Sequence, residues 1–130
     1  MSTLVFDIET NAIKNFRTLC GLKTIHCIAI GEPGKEPEVV GIEEALERLR
    51  LADVLVGHNI LNFDIPAIQR LYPEWDVSDC CIRDTLVMSR MLWPDVQNED
   101  WQIPGFPRNL VGRHSLKAWG VRLGILKDSF

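Results

Sequence analysis

The chain has 130 residues, 46% of them hydrophobic and 25% charged, which suits one ordinary globular domain with a real core. Its formal net charge of −4 argues against holding duplex DNA mainly through a basic surface, yet leaves room for an enzyme that grips phosphates through bound metal ions. No apolar run approaches membrane-spanning length, no basic-then-apolar leader opens the chain, and Cys20, Cys27, Cys80 and Cys81 show no C-x-x-C spacing; a cytoplasmic protein with reduced thiols and no zinc site is expected.

Leu4 to Thr10 (Leu-Val-Phe-Asp-Ile-Glu-Thr) reads as a strand rich in apolar strand formers. Side chains alternate along a strand, so Asp7 and Glu9 share one face while Phe6 and Ile8 take the other. Two carboxylates side by side repel each other and are costly to desolvate. A divalent cation such as Mg²⁺ or Mn²⁺ removes that conflict. The alternative is a strand that ends at Asp7, with Glu9 in a solvated turn.

Asn11 to Gly21 is mixed and irregular. Thr24–Ile30 is a second strand, in which His26 reads as an ordinary strand residue. Glu32-Pro33-Gly34-Lys35 is a turn, and Glu38–Val40 the returning strand of a hairpin. Ile42–Leu51 has the period of an amphipathic helix, with Ile42, Ala45, Leu46 and Leu49 on one face. Its Glu43 and Glu44 come first and Arg48 and Arg50 last, as the macrodipole favours.

Asp53–Gly57 is a Val-rich run that predicts a buried strand parallel to the first, because a helix precedes it. His58–Asn62 then leaves the sheet at the strand's C-terminal end, where open α/β sheets usually bind ligands. Pro66 fixes a helix start near Asp64, with Ile65, Ile68 and Leu71 facing the core. Asp64 is open to two readings, a first-turn cap or an acid that meets the Asp7/Glu9 pair across neighbouring strands.

Tyr72-Pro73 ends that helix, and Asp79–Ile82 is a linker or a short extended piece. Asp84–Leu92 predicts a third helix, with Asp84 as cap, Leu86, Val87, Met91 and Leu92 as apolar positions, Met88 and Met91 as core filling, and Pro94 as the stop. Residues 94–113 hold prolines and glycines without a period and read as a long structureless loop. Ser115 opens a last helix through Leu116, Ala118, Trp119 and Val121, and Gly124 suits its end.

These residues carry a family resemblance. Phe6-Asp7-Ile8-Glu9-Thr10 resembles the first motif, Asp-x-Glu, of the DnaQ-like (DEDD) 3′–5′ exonucleases. Asn59-Ile60-Leu61-Asn62-Phe63-Asp64 resembles the second. The likeness is closer still to the N-terminal proofreading domain of the T-seven-type phage DNA polymerases of family A. There a His-Asn begins the second motif, as His58-Asn59 does here. An Asp-Thr-Leu-x-x-Ser-Arg helix follows, matched by Asp84–Arg90, and His114–Gly124 (HSLKAWGVRLG) also matches.

The resemblance implies an α/β, RNase H-like mixed sheet flanked by helices. It implies two Mg²⁺ or Mn²⁺ ions, one activating water and one stabilising the leaving 3′ oxygen. It also implies Asp7, Glu9 and Asp64 as catalytic metal ligands. Thr10, Ile13, Asn59 and Phe63 fall where the family holds the terminal nucleotide of a single-stranded DNA 3′ end. Ile13 is equally readable as a core residue.

The family further needs a third motif, Tyr-x-x-x-Asp or His-x-x-x-x-Asp, on a later helix. Tyr72-Pro73-Glu74-Trp75-Asp76 matches nominally but is broken by Pro73 and comes too early in the order. Asp128 has no Tyr or His at the required spacing before it, and His114 has no Asp at the required spacing after it. The expectation is that residues 1–130 form the N-terminal fragment of an exonuclease domain, its C-terminal part missing, inactive or slow until a complementing segment or polymerase domain joins it. An apolar face left uncovered would favour self-association. Two other readings stay open: a non-catalytic remnant that binds single-stranded ends or props a polymerase, and a small ribonuclease of the same superfamily.

Overall fold

The computed structural model of the protein describes residues 1–125. They form two compact units, Met1–Thr85 and a second from Leu86 onward. The first unit is α/β. Its strands are β1 (Thr3–Thr10), β2 (Ile25–Gly31), β3 (Glu38–Val40), β4 (Val54–Gly57) and β5 (Cys81–Asp84). They lie in the order β3-β2-β1-β4-β5. β1 pairs antiparallel with β2, and β2 with β3, whereas β4 and β5 run parallel to β1. This mixed sheet with flanking helices is consistent with an RNase H-like fold.

The alternation in β1 decides which face is buried. Leu4, Phe6 and Ile8 point into the core, and Val5, Asp7 and Glu9 point out. Helices α1 (Ile42–Leu51) and α2 (Ile65–Leu71) pack on the Leu4/Phe6/Ile8 face through Ala45, Leu46, Leu49, Ile65 and Ile68. Ile28, Ile30, Leu49, Leu55, Ile60 and Ile68 are removed from solvent completely, each burial worth about 1.5–3 kcal/mol. Trp75 joins this core and satisfies its indole N–H on the Leu46 carbonyl at 2.9 Å.

The second unit is organised around polar nodes. Helix α3 (Thr85–Leu92) leads into it, followed by α4 (Val96–Asp100), a short 3₁₀ turn at Arg108–Leu110, and α5 (Leu116–Leu123). Ser115 caps α5 by accepting the Ala118 amide at 3.2 Å, and Gly124 closes it in the left-handed region at φ 70°. Asp100, 1% exposed, accepts both Nε and Nη2 of Arg122 at 2.7 Å and the Gly112 amide at 2.9 Å. The guanidinium lies over Trp119, 4.7 Å from the ring centroid. Buried Ser89 joins His114 Nδ1 at 2.6 Å and accepts the Trp119 indole N–H at 2.7 Å. Ser89, His114, Trp119 and Arg122, which lie in the segments Asp84–Arg90 and His114–Gly124, thus join Asp100 in the polar nodes of this unit.

Several expectations are corrected here. The third helix starts at Thr85, because Asp84 is the last residue of a fifth strand, Cys81–Asp84, which lies two residues further on than the short extended piece that is one reading of Asp79–Ile82. Met88 and Met91 do not fill a core; they are 40% and 75% exposed. Residues 94–113 are not structureless, since the Asp100–Arg122 pair anchors α4 within them. The Cys residues are free thiols. Among the described residues, no helix is long and apolar enough to cross a membrane.

Candidate functional site

β1 and β4 are parallel only as far as Val5 opposite Val56. Beyond that point the chain leaves β4 through Gly57, and the edge of β1 loses its backbone partner. Asp64 fills the gap. Its Oδ2 accepts the Ile8 amide at 3.1 Å, across 56 residues of sequence. Ile8 stands between Asp7 and Glu9, so the second motif is fastened to the first at the acid pair itself.

The local sequence explains how Asp64 gets there. Gly57 is required because a Cβ would collide with Ile60 Cγ2 and stand 3.0 Å from the Phe6 carbonyl oxygen. Asn59 adopts the left-handed region at φ 64°, which Asn tolerates better than most residues. A single π-helical turn, Ile60–Asp64, then widens the entry into α2, as such turns often do near functional groups. Asp64 sits at the cap position of α2 but makes no side-chain cap bond there. The cap reading of Asp64 is thereby corrected, since its carboxylate belongs to β1.

Asp84 holds this turn in place. At the end of β5, opposite Gly57, it is 3% exposed. Its Oδ1 accepts the Asn59 amide at 2.9 Å and its Oδ2 the Leu61 amide at 3.0 Å. His58 Nδ1 and Thr85 Oγ1, 2.9 Å apart, link the same two strand exits. The sequence reading of Asp84 as a helix cap is corrected, because both its oxygens serve the second motif. Both bonds run to backbone amides, so residue type alone gave no signal for this role.

The electrostatics follow from this crowding. Asp64 is 3% exposed. Burial and then the charge of Asp7 push its carboxyl up to about 7, Asp84 adds to the push, and the Ile8 amide opposes it. Asp7 and Glu9 are exposed on the outer face of β1, and Glu9 lies within the strand, not in a turn after it. A β-bulge interrupts the β1–β2 pairing between Glu9 and Thr10. Among the described residues, no three His, Cys, Asp or Glu side chains close tightly enough to hold an ion by themselves. An open set of acids that repel one another suits Mg²⁺ or Mn²⁺, which take one or two carboxylates and fill their shells with water and phosphate oxygens.

Thr10 ends β1 and donates its hydroxyl to the Asn11 carbonyl at 2.9 Å. Ile13 and Phe63 are half-buried and pack against the core. The Phe63 ring meets Phe16 at 5.5 Å between centroids, tilted by 60°. The nominal third motif points elsewhere: Tyr72 lines a groove with Glu43, Leu46, Glu47 and Arg50 of α1. Asp76 accepts the Ser78 amide and hydroxyl at 2.9 and 3.1 Å. Asp128 lies outside the described residues.

The chain is 30% identical over 139 residues to the DNA-directed DNA polymerase of Escherichia phage T7, an alignment covering 98% of this chain and 20% of that protein. It is 30% identical over 141 residues to the DNA-directed DNA polymerase of Enterobacteria phage T3, with the same coverage of 98% and 20%. The chain is thus related to phage DNA polymerases and spans about a fifth of the length of these curated relatives. No family model matches it.

Proposed function

We propose that this chain carries most of the active site of a metal-dependent 3′–5′ exonuclease that trims single-stranded DNA ends in the service of a phage-type DNA polymerase. The observation that carries the reading is the bond from Asp64 to Ile8, which joins acids from two distant motifs at one rim of the sheet. The relation to phage polymerases supports the DNA context.

In this reading Asp7, Glu9 and Asp64 are the metal ligands. Bound there, Mg²⁺ or Mn²⁺ supplies an activated water and charge stabilisation for the leaving 3′ oxygen. The residues of the chain do the rest. The Ile8 amide fixes one oxygen of Asp64. The Asp84 clamp keeps Asn59 and Phe63 beside it, where they orient the terminal nucleotide together with Thr10 and Ile13. Asp64 must be ionised to bind a cation, and its raised pKa makes cation uptake release a proton near neutral pH.

The test is Mn²⁺ binding, followed by calorimetry and electron paramagnetic resonance, on the wild-type chain and on Asp7→Ala and Asp64→Asn. Trimming of a 5′-labelled oligonucleotide is measured in parallel. Wild type binds Mn²⁺, both variants lose that binding, and any trimming starts at the 3′ end. A wild-type chain that ignores Mn²⁺, or variants that bind it equally well, overturns the proposal.

A further inference from the structure

The connection between β1 and β2 has a composition unlike the rest of the chain. The protein has 18 acidic and 14 basic residues, yet residues 11–24 contain Lys14, Arg17 and Lys23 and no acid. Arg70 reaches the same segment and donates from Nη1 to the Thr18 carbonyl at 3.2 Å. Both ends of the connection stand at the acid rim, where Thr10 pairs with Ile25 one residue beyond Glu9.

Phe16 sits in this basic segment and is 65% exposed. Burying such a ring is worth about 1.5–3 kcal/mol, so an exposed ring on an ordered loop calls for a reason. The loop is ordered by its own bonds. Asn11 donates to the Gly21 carbonyl at 2.7 Å and accepts the Lys23 and Thr24 amides at 2.9 and 3.0 Å. Lys14 donates its amide to the Cys20 carbonyl at 2.8 Å, and Asn15 Oδ1 accepts the Arg17 amide at 2.9 Å. Leu19 anchors the segment in the core. Phe16 is held out against Phe63, the neighbour of Asp64.

A flat apolar face on a segment that carries cations and no acid fits an unstacked base flanked by phosphates. Base-paired DNA keeps its faces stacked, so the complementary partner is a single strand. We infer that residues 11–24 are a landing surface for single-stranded DNA, on which Phe16 stacks against a nucleobase while Lys14, Arg17 and Lys23 meet phosphates. The inference deepens the proposed function, because it gives the strand that enters the acid rim a second point of attachment.

The test is fluorescence anisotropy in EDTA, with a short labelled oligothymidylate and an abasic strand carrying the same number of phosphates. Phe16→Ala weakens oligothymidylate binding about tenfold and leaves the abasic strand unchanged, whereas Phe16→Trp keeps wild-type affinity. Arg17→Ala weakens both strands alike and flattens the salt dependence. Equal binding of oligothymidylate by Phe16→Ala and wild type, or of the two strands by wild type, overturns the inference. Without metal nothing is cleaved, so this result stands apart from the Mn²⁺ test: loss of one leaves the other to be judged by itself.

Discussion

Two buried aspartates, one in each unit, show opposite solutions to the same cost. Asp100 is met by the two-pronged guanidinium of Arg122 and by the Gly112 amide, and that side-chain bond, with the nearby positive charge, holds its carboxyl below the ordinary range. Asp64 is as deeply buried, but the charges that reach it come from Asp7 and Asp84, and it is pushed up to about 7. The first arrangement is closed and suits a structural role. The second retains an electrostatic debt that a cation would cancel, and for that reason it marks the candidate site.

The contrast can be broken at either end. The largest effect is expected from Arg122→Ala, which leaves Asp100 buried without its counter-charge and destabilises the second unit by about 3–5 kcal/mol, read by urea unfolding. Next is the pH dependence of metal-free protein. A folded pKa raised from 3.8 to about 7 means that the folded state holds the extra proton between those values. The Asp64 contribution is therefore fully present below pH 4 and is lost by about 4 kcal/mol as pH rises through 7. Asp64→Asn flattens that slope, and in wild type Mn²⁺ offsets the loss near neutrality. Asp100 has the opposite sign: its contribution is present above the ordinary carboxylate range and fades as pH falls through its lowered folded value. Thermal melts from acid to neutral pH check both.

Asp84→Ala sharpens the comparison by removing the clamp while leaving Asp64 in place. It strands two amides and costs about 1–3 kcal/mol for each group left unsatisfied, and it weakens Mn²⁺ binding by loosening the second motif. The smallest effect is expected from Met91→Lys on the exposed face of α3, within about 0.5 kcal/mol.

Much of the first unit was legible in the sequence, because β1 alternates cleanly and α1 carries its apolar residues at helical spacing. Asp7, Glu9 and Asp64 were legible as candidates, whereas the bond that fastens Asp64 to the Ile8 amide was not. The Asp84 clamp was not legible, since it joins residues 23 to 25 positions apart through backbone amides that leave no trace in residue type. The π-helical turn was hidden for the same reason: Ile60–Asp64 has the composition of an ordinary helix start. In the second unit, Asp100 and Arg122 are 22 positions apart, with Pro104 and Pro107 between them, so neither periodicity nor spacing connects them. Local pattern revealed the elements that bury apolar surface, whereas the parts held by polar bonds between distant positions had to be seen.

The Asp84 clamp also sets an order of assembly. β5 is a short edge strand, and such strands open before a sheet's centre does. Once it peels away, the amides of Asn59 and Leu61 lose their acceptor, and Asp64 can drift from β1 while Ile28, Leu49 and Leu55 stay packed. Warming should therefore disarm the rim before it melts the core, with amide exchange at Asn59 and Leu61 quickening at temperatures where the central strands are still protected.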